Sequence, residues 1–360
     1  GRWRKDRAPD VRGQWPGRRM ERRTVEEERF RRIFRAVHAG HGGCLEDEWL
    51  TEPCRLKDGR PAERPIVWSR RNGAWRRVET LWVGAAPGNA GGKGDGDLGA
   101  HGTRIPFGGD VSGANVDALF GSIGLNRNET FIVAALNQLP ARGGGEPTAA
   151  ELNAPVGTYP TSLHVLRDTV LAAGPRLVVA FGTVAVRALV AALRLGAGHA
   201  VGTDSARHAA STGARRTSAG ETAGGATAAT VRLPGMTRLE RAGLVRGAAI
   251  PWPEAEAPDE PFLRAWSQAW GDAPLPHLLW LTHPSAQNMS PFAGTETSFH
   301  ARMVETRDAL RRAVQDVLGW EVPEERPAPP ETGIYALPEW RERIGPRHAR
   351  LDELWRAKGV

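Results

Sequence analysis

"ETLWVGAAP", residues 79–87, is the stretch on which the fold turns. A short, nearly continuous apolar run that breaks into small residues and proline reads as a strand covered on both faces, as in a parallel sheet. Three more segments share the pattern: "TFIVAALN" (130–137), "RLVVAFG" (176–182) and "HLLWLTHP" (277–284). Helical periodicity separates the first three. In "SGANVDALFGSIG", Val116, Leu119, Phe120 and Ile123 recur at i, i+3, i+4 and i+7, with Ser112 or Asn115 available as the cap. "TSLHVLRDTVLAAG" and "GTVAVRALVAALRLG" also read as helices, and "SFHARMVETRDALRRAVQDVLG" supplies a last amphipathic one. The alternation predicts a three-layer α/β/α sandwich around a four-stranded, mostly parallel sheet, with a long insertion before the last strand. Ligands in such sheets sit beyond the carboxyl ends of the strands, which is where the polar motifs fall.

Composition bounds the class. The 360 residues are 40% hydrophobic, enough for a sizeable core. No run of eighteen apolar residues exists, and "GRWRKDRAPD" opens without an apolar leader, so the chain is expected to be soluble and cytoplasmic, away from membranes. Only Cys44 and Cys54 are present, too few for a disulfide framework or a four-cysteine cluster. Residues 1–40 hold 13 Arg/Lys against 6 Asp/Glu, a net of +7 that equals the charge of the whole chain. A basic arm (1–45) on a formally neutral body suits a polyanion, or is a solvated leader; Met20 is a candidate natural start. Residues 46–320 read as the α/β domain. Within it, 198–230 is small, polar and aperiodic, a flexible insertion, whereas 231–276 carries Trp252, Trp266 and Trp270 and is expected to pack in part. Residues 321–360 form a proline-rich tether and a C-terminal helix.

Four constellations carry candidate chemistry. The turn "GAAPG", Gly84–Gly88, permits close backbone approach and can present amides to an anion; it is equally an ordinary strand-to-loop connection. In "RIPFGGDVSG", Phe107 is either a stacking wall for a planar ring or a core residue, and Asp110 either a carboxylate that holds water or a helix cap. Asn137 closes the second strand, where an amide can read a base edge or simply end the strand with a turn bond. In "LTHPSAQNMSP", His283 leaves a buried strand, Pro284 sets its exit angle, Ser285 can bond a phosphate, and Gln287, Asn288 or Met289 can project as a wedge.

Taken in order, these elements resemble the uracil-DNA glycosylase superfamily, which pairs a water-activating turn with a stacking Phe, a base-reading Asn and a His-Pro-Ser intercalation loop. The resemblance covers roughly residues 78–185 and 277–318. "AHGTRIPFGGDVSG" with "HPSAQN" looks most like the type-B (family 5) branch. Most branches place Asp, Glu or Asn where this chain has Ala85, a substitution shared with the type-B branch. Type-A and type-B relatives hold an iron–sulfur cluster on four cysteines, which two cysteines cannot do, so no cofactor is expected.

The resemblance implies a monomeric DNA repair enzyme working at the bacterial nucleoid. It would flip uracil or a related deaminated base out of DNA and hydrolyse its N-glycosidic bond. Phe107, Asn137 and Ala85 would line the base pocket. His283 would bond the leaving oxygen, and Asp110, or else Asn89, Asp95 or Asp97, would position water. Pro87, Gly88, Pro284, Ser285, Gln287, Asn288 and Met289 would hold phosphates or fill the stack. Lys93 stands among glycines, unsuited to Schiff-base chemistry, so no lyase step is expected. A DNA-binding module with weak or absent chemistry is the alternative that Ala85 favours; a hydrolase built on Ser285 and His283 lacks a nucleophile elbow.

Overall fold

The computed structural model of the chain describes residues 25–37, 79–86, 107–136, 140, 146–195, 231–295, 297–338 and 340–360. Its centre is a five-stranded sheet of β1 (Thr80–Gly84), β2 (Phe131–Ala134), β3 (Leu177–Phe181), β4 (Ala249–Ile250) and β5 (His277–Leu281), in the order β2-β1-β3-β5-β4. β2, β1, β3 and β5 are parallel, with Leu81 opposite Phe131, Thr80 opposite Leu177, and Leu177 opposite His277. The fifth strand corrects the expected four. β4 is two residues pairing antiparallel with β5 through Ala249–Leu279 and Ile250–Leu278, too short to show a period in sequence.

The helices are α1 (Val25–Val37), α2 (Val111–Ser122), α3 (Ala149–Leu152), α4 (Ser162–Ala173), α5 (Gly182–Leu193), α6 (Met236–Arg241), α7 (Glu260–Trp270), α8 (Ser298–Ala313) and α9 (Gly345–Arg356). The link from β1 through α2 to β2 moves one way along the sheet; the link through α4 to β3 returns past β1. Right-handed crossovers put α2 on one face, and α4 and α5 on the other. Packing agrees: α5 touches β1, β3, β5 and α4, while α2 touches α8 and α9. The strand order reverses between β1 and β3, so a crevice is expected at their carboxyl ends.

Every residue of β1, β2 and β3 is buried, which explains the continuous apolar runs. Trp82 anchors the core: its ring meets Phe120 at 4.7 Å and Phe181 at 5.7 Å, and its indole N–H donates to Thr80 Oγ1 at 3.0 Å. Full burial of each such large apolar side chain contributes roughly 1.5–3 kcal/mol. The tryptophan-bearing segment packs on the α4 side: Trp266 is 3% exposed, and Trp270 donates to Leu171 O at 2.8 Å.

The last stretch folds back onto the domain. Ile334, Tyr335, Trp340 and Ile344 form a small apolar cluster, and α9 lies against α2 with Trp355 fully buried. The basic residues 1–24, both cysteines and the insertion 198–230 lie outside the described residues.

Candidate active site

Phe107 begins the described loop after β1 and stands at the switch point. An ideal Cβ on Gly84, the last residue of β1, would lie 3.2 Å from its ring, and the ring meets Phe181 at the end of β3 edge-on at 5.8 Å. The side chain is half-buried. Its backbone has φ +50°, the left-handed region, which costs a non-glycine residue about 1–2 kcal/mol. Such a conformation persists where neighbours over-determine it. Here Arg127 Nη2 donates to Phe107 O at 2.8 Å. The guanidinium is itself fixed, with Nε donating to Asp117 at 2.5 Å and Trp340 stacked 5.1 Å away.

His283 arrives from β5. Its ring centroid is 6.2 Å from that of Phe107, at an interplanar angle of 47°. Gly182, which opens α5 at φ +83°, makes the approach possible: a Cβ there would stand 3.2 Å from His283 Cβ, on a backbone that disfavours side chains. Burial pushes the His283 imidazole below its ordinary 6.5, and the negative charge of Asp110 partly opposes this. The ring is therefore neutral at pH 7, able to donate through one nitrogen.

Asp110 is the cap of α2. Its carboxylate accepts from Gly113 N at 2.8 Å, satisfying one of the unpaired amides of the first turn. This corrects the expectation that Ser112 or Asn115 serves there. The cap reading of Asp110 is thus the one seen; the residue stays half-exposed and close enough to bias His283.

Asn115 has another task. It is 0% exposed, and its Nδ2 donates to Pro284 O at 2.8 Å and Met289 O at 3.0 Å. Its Oδ1 accepts from Trp355 Nε1 at 2.7 Å. One buried amide thus pins both ends of the loop that follows His283. Inside that loop, Asn288 and Met289 both donate backbone N–H to Ser285 O at 2.9 Å. The Asn288 side chain turns back onto His283 O at 3.0 Å and Ser285 Oγ at 3.1 Å. One wedge candidate is thereby corrected: Met289 is fully buried, its thioether packed in the core, while the half-buried Asn288 braces the turn. Ala286 and Gln287 are left exposed at the apex; Pro284 is buried and Ser285 half-buried. Phe292, 68% exposed, is a further large apolar side chain on this loop.

Ala85 follows β1, its carbonyl accepting from Leu136 N at 3.0 Å, and it offers only a methyl group. Pro87, Gly88, Asn89, Lys93, Asp95, Asp97 and Asn137 lie outside the described residues. Among the described residues no group of three or more His, Cys, Asp and Glu is placed to hold a metal ion, and no helix is long and apolar enough to cross a membrane.

Sequence reasoning missed the roles of Asn115, Arg127 and Gly182. Asn115 had a readable signal, since it shares the core face of α2 with Leu119 four residues on. Arg127 sits in an irregular link and had none.

The histidines give one expectation for stability. Burial holds His164, His277 and His283 below 6.5, with Arg167 reinforcing the effect at the first and Arg176 at the second. Between the folded values and 6.5 the unfolded chain binds more protons than the folded one. Stability is therefore expected to fall as the pH drops below 6.5. Thermal midpoints measured at about pH 7.5 and about pH 5.5 check the sign.

Phe107 and His283 thus meet, with Asp110 near enough to act on the imidazole, at the switch point of a mostly parallel sheet in an α/β protein. The family model for the uracil DNA glycosylase superfamily matches residues 76–311, more than half of the 360-residue chain. The chain belongs to that superfamily, whose members are glycosylases acting on DNA. No curated protein matches it.

Proposed function

We propose that this chain is a monofunctional DNA glycosylase of the type-B kind, which flips uracil or a related deaminated base out of DNA and hydrolyses its N-glycosidic bond. The observation that carries this reading is the approach of Phe107 and His283 to 6.2 Å at the ends of β1, β3 and β5. A pyrimidine stacked on Phe107 has an edge toward His283. As the bond between C1′ and the base nitrogen breaks, its electron pair moves into the ring and charge grows on the carbonyl oxygen; a neutral imidazole N–H there stabilises it. Asp110, beside His283, would orient the water whose oxygen bonds C1′ and stabilise the cationic sugar, the water's proton finally passing to the departing base, which leaves neutral. Asn137 would pair with the base edge, with Ala85 beside it. Ser285 and the Pro87–Gly88 turn would hold phosphates, and Gln287 at the exposed apex would fill the gap in the stack. Asn89 is the lesser candidate for the water.

Residues 46–320 would form the glycosylase unit, with the basic arm adding affinity that falls as salt rises. The protein would act as a monomer, without a cofactor, on DNA in the bacterial cytoplasm.

A second reading, a DNA-binding module with weak or absent chemistry, draws on Ala85, which has no group to activate water, and on the engagement of Asp110 as a cap. A base-release panel separates the two. Single-stranded and mismatched duplex oligonucleotides carrying uracil, hypoxanthine or xanthine are incubated with wild type, Asn137→Ala and Asp110→Ala. The glycosylase reading expects free uracil, an uncut strand, and losses of about 10²-fold or more for Asp110→Ala. Binding of uracil-containing DNA without base release would establish the second reading.

A further inference from the structure

α9 lies beyond residue 311, where the superfamily match ends, yet it reaches the ring wall. Its His348, 4% exposed, accepts the Gly109 backbone N–H through Nε2 at 3.1 Å. The other ring nitrogen, Nδ1, is 2.6 Å from Asp117 Oδ2. An acceptor at Nε2 requires that the proton sit on Nδ1, donated to Asp117, so the tautomer follows from the partners. Asp117 Oδ1 takes Arg127 Nε, and Arg127 Nη2 holds Phe107 O. Asp117 thus ties together two grips on one short loop, one on the carbonyl of residue 107 and one on the amide of residue 109. The Trp340 ring closes the assembly, edge-on to His348 at 5.5 Å and over the Arg127 guanidinium. Both Arg127 and Asp117 would keep their mutual bond without His348; the amide of Gly109 would lose its partner.

We propose that His348 is a positioning residue for the Phe107 wall: in its Nδ1–H tautomer it fixes Gly109 and so sets the ring at the angle a stacked base requires. This role rests on the glycosylase reading for its effect on rate, and on the hydrogen bonds alone for its effect on the loop. A short segment of the C-terminal stretch is then part of the catalytic unit, although it touches no reacting atom.

The test uses the full chain with His348→Leu, which keeps bulk and loses both bonds, and His348→Gln, whose amide oxygen can replace Nε2 as the acceptor from Gly109. On single-stranded uracil DNA, His348→Leu is expected to lower kcat about 10- to 100-fold with little change in KM, and His348→Gln to recover most of it. Amide hydrogen exchange is expected to quicken at residues 108–113 in His348→Leu while the amides of β1 and β3 stay protected. Nitrogen-15 spectra of wild type are expected to show His348 with its proton on Nδ1. The opposite tautomer, unchanged exchange at Gly109, or a glutamine variant as impaired as the leucine one would each overturn the proposal. If wild type releases no uracil, the glycosylase reading falls, and the positioning role is decided by the exchange and tautomer measurements. Should His348→Leu fail to fold, His348→Gln and the wild-type spectrum carry the same decision.

Discussion

Replacing His283 by alanine is expected to lower kcat for uracil release about 10²- to 10³-fold, the cost of removing one donor from a site of developing negative charge. The loss should fall on kcat and spare KM, because the bond to the base oxygen strengthens only as the glycosidic bond breaks. Burial keeps the ring neutral, so it acts as a hydrogen-bond donor rather than a carrier of full positive charge. Folding should change little: the side chain is half-buried, and its approach is limited mainly by Gly182. Single-turnover release from a uracil oligonucleotide measures this. An unchanged rate would reduce His283 to a packing residue at the end of β5.

Replacing Asn115 by leucine should cost more in stability than any change at the pocket itself. The substitution keeps the branched shape, adds some bulk and removes three partners at once, leaving Pro284 O, Met289 O and Trp355 Nε1 without their amide. Each buried polar group so orphaned costs about 1–3 kcal/mol, a sum comparable with a large part of the roughly 5–15 kcal/mol that holds a domain folded. A sharp drop in thermal midpoint is expected. Uracil release should fail with it, because the same amide seats the turn that presents His283 and Ser285. A midpoint within a degree or two of wild type would contradict the account of this loop.

The four long strands were legible because a strand buried on both faces has no polar alternation to confuse it, and their bounds lie within three residues of the runs that announced them. β4 was not, since Ala249 and Ile250 are too few to show a period and Pro251 follows at once. The start of α2 shows what periodicity leaves undecided: Asp110, Ser112 and Asn115 are all capping residue types within six residues, and only the geometry assigns the cap to Asp110 and the loop brace to Asn115. Phe107 and His283 could be singled out because proline and glycine fence the first, and the second ends a strand. Met289 could not be sorted from a wedge, as its thioether suits a cavity and a surface equally. His348 went unremarked, for its partners Gly109 and Asp117 are more than 230 residues away in sequence.

The central claim is that the Phe107 wall and the His283 imidazole receive one flipped base. A crystal structure of the full chain bound to an oligonucleotide with a single non-cleavable 2′-fluoro-deoxyuridine tests it most directly. The uracil ring is expected out of the helix, stacked on Phe107, with a base carbonyl oxygen within hydrogen-bond distance of His283. A uracil left in the base stack, or held elsewhere with Phe107 and His283 touching nothing of it, would contradict the account.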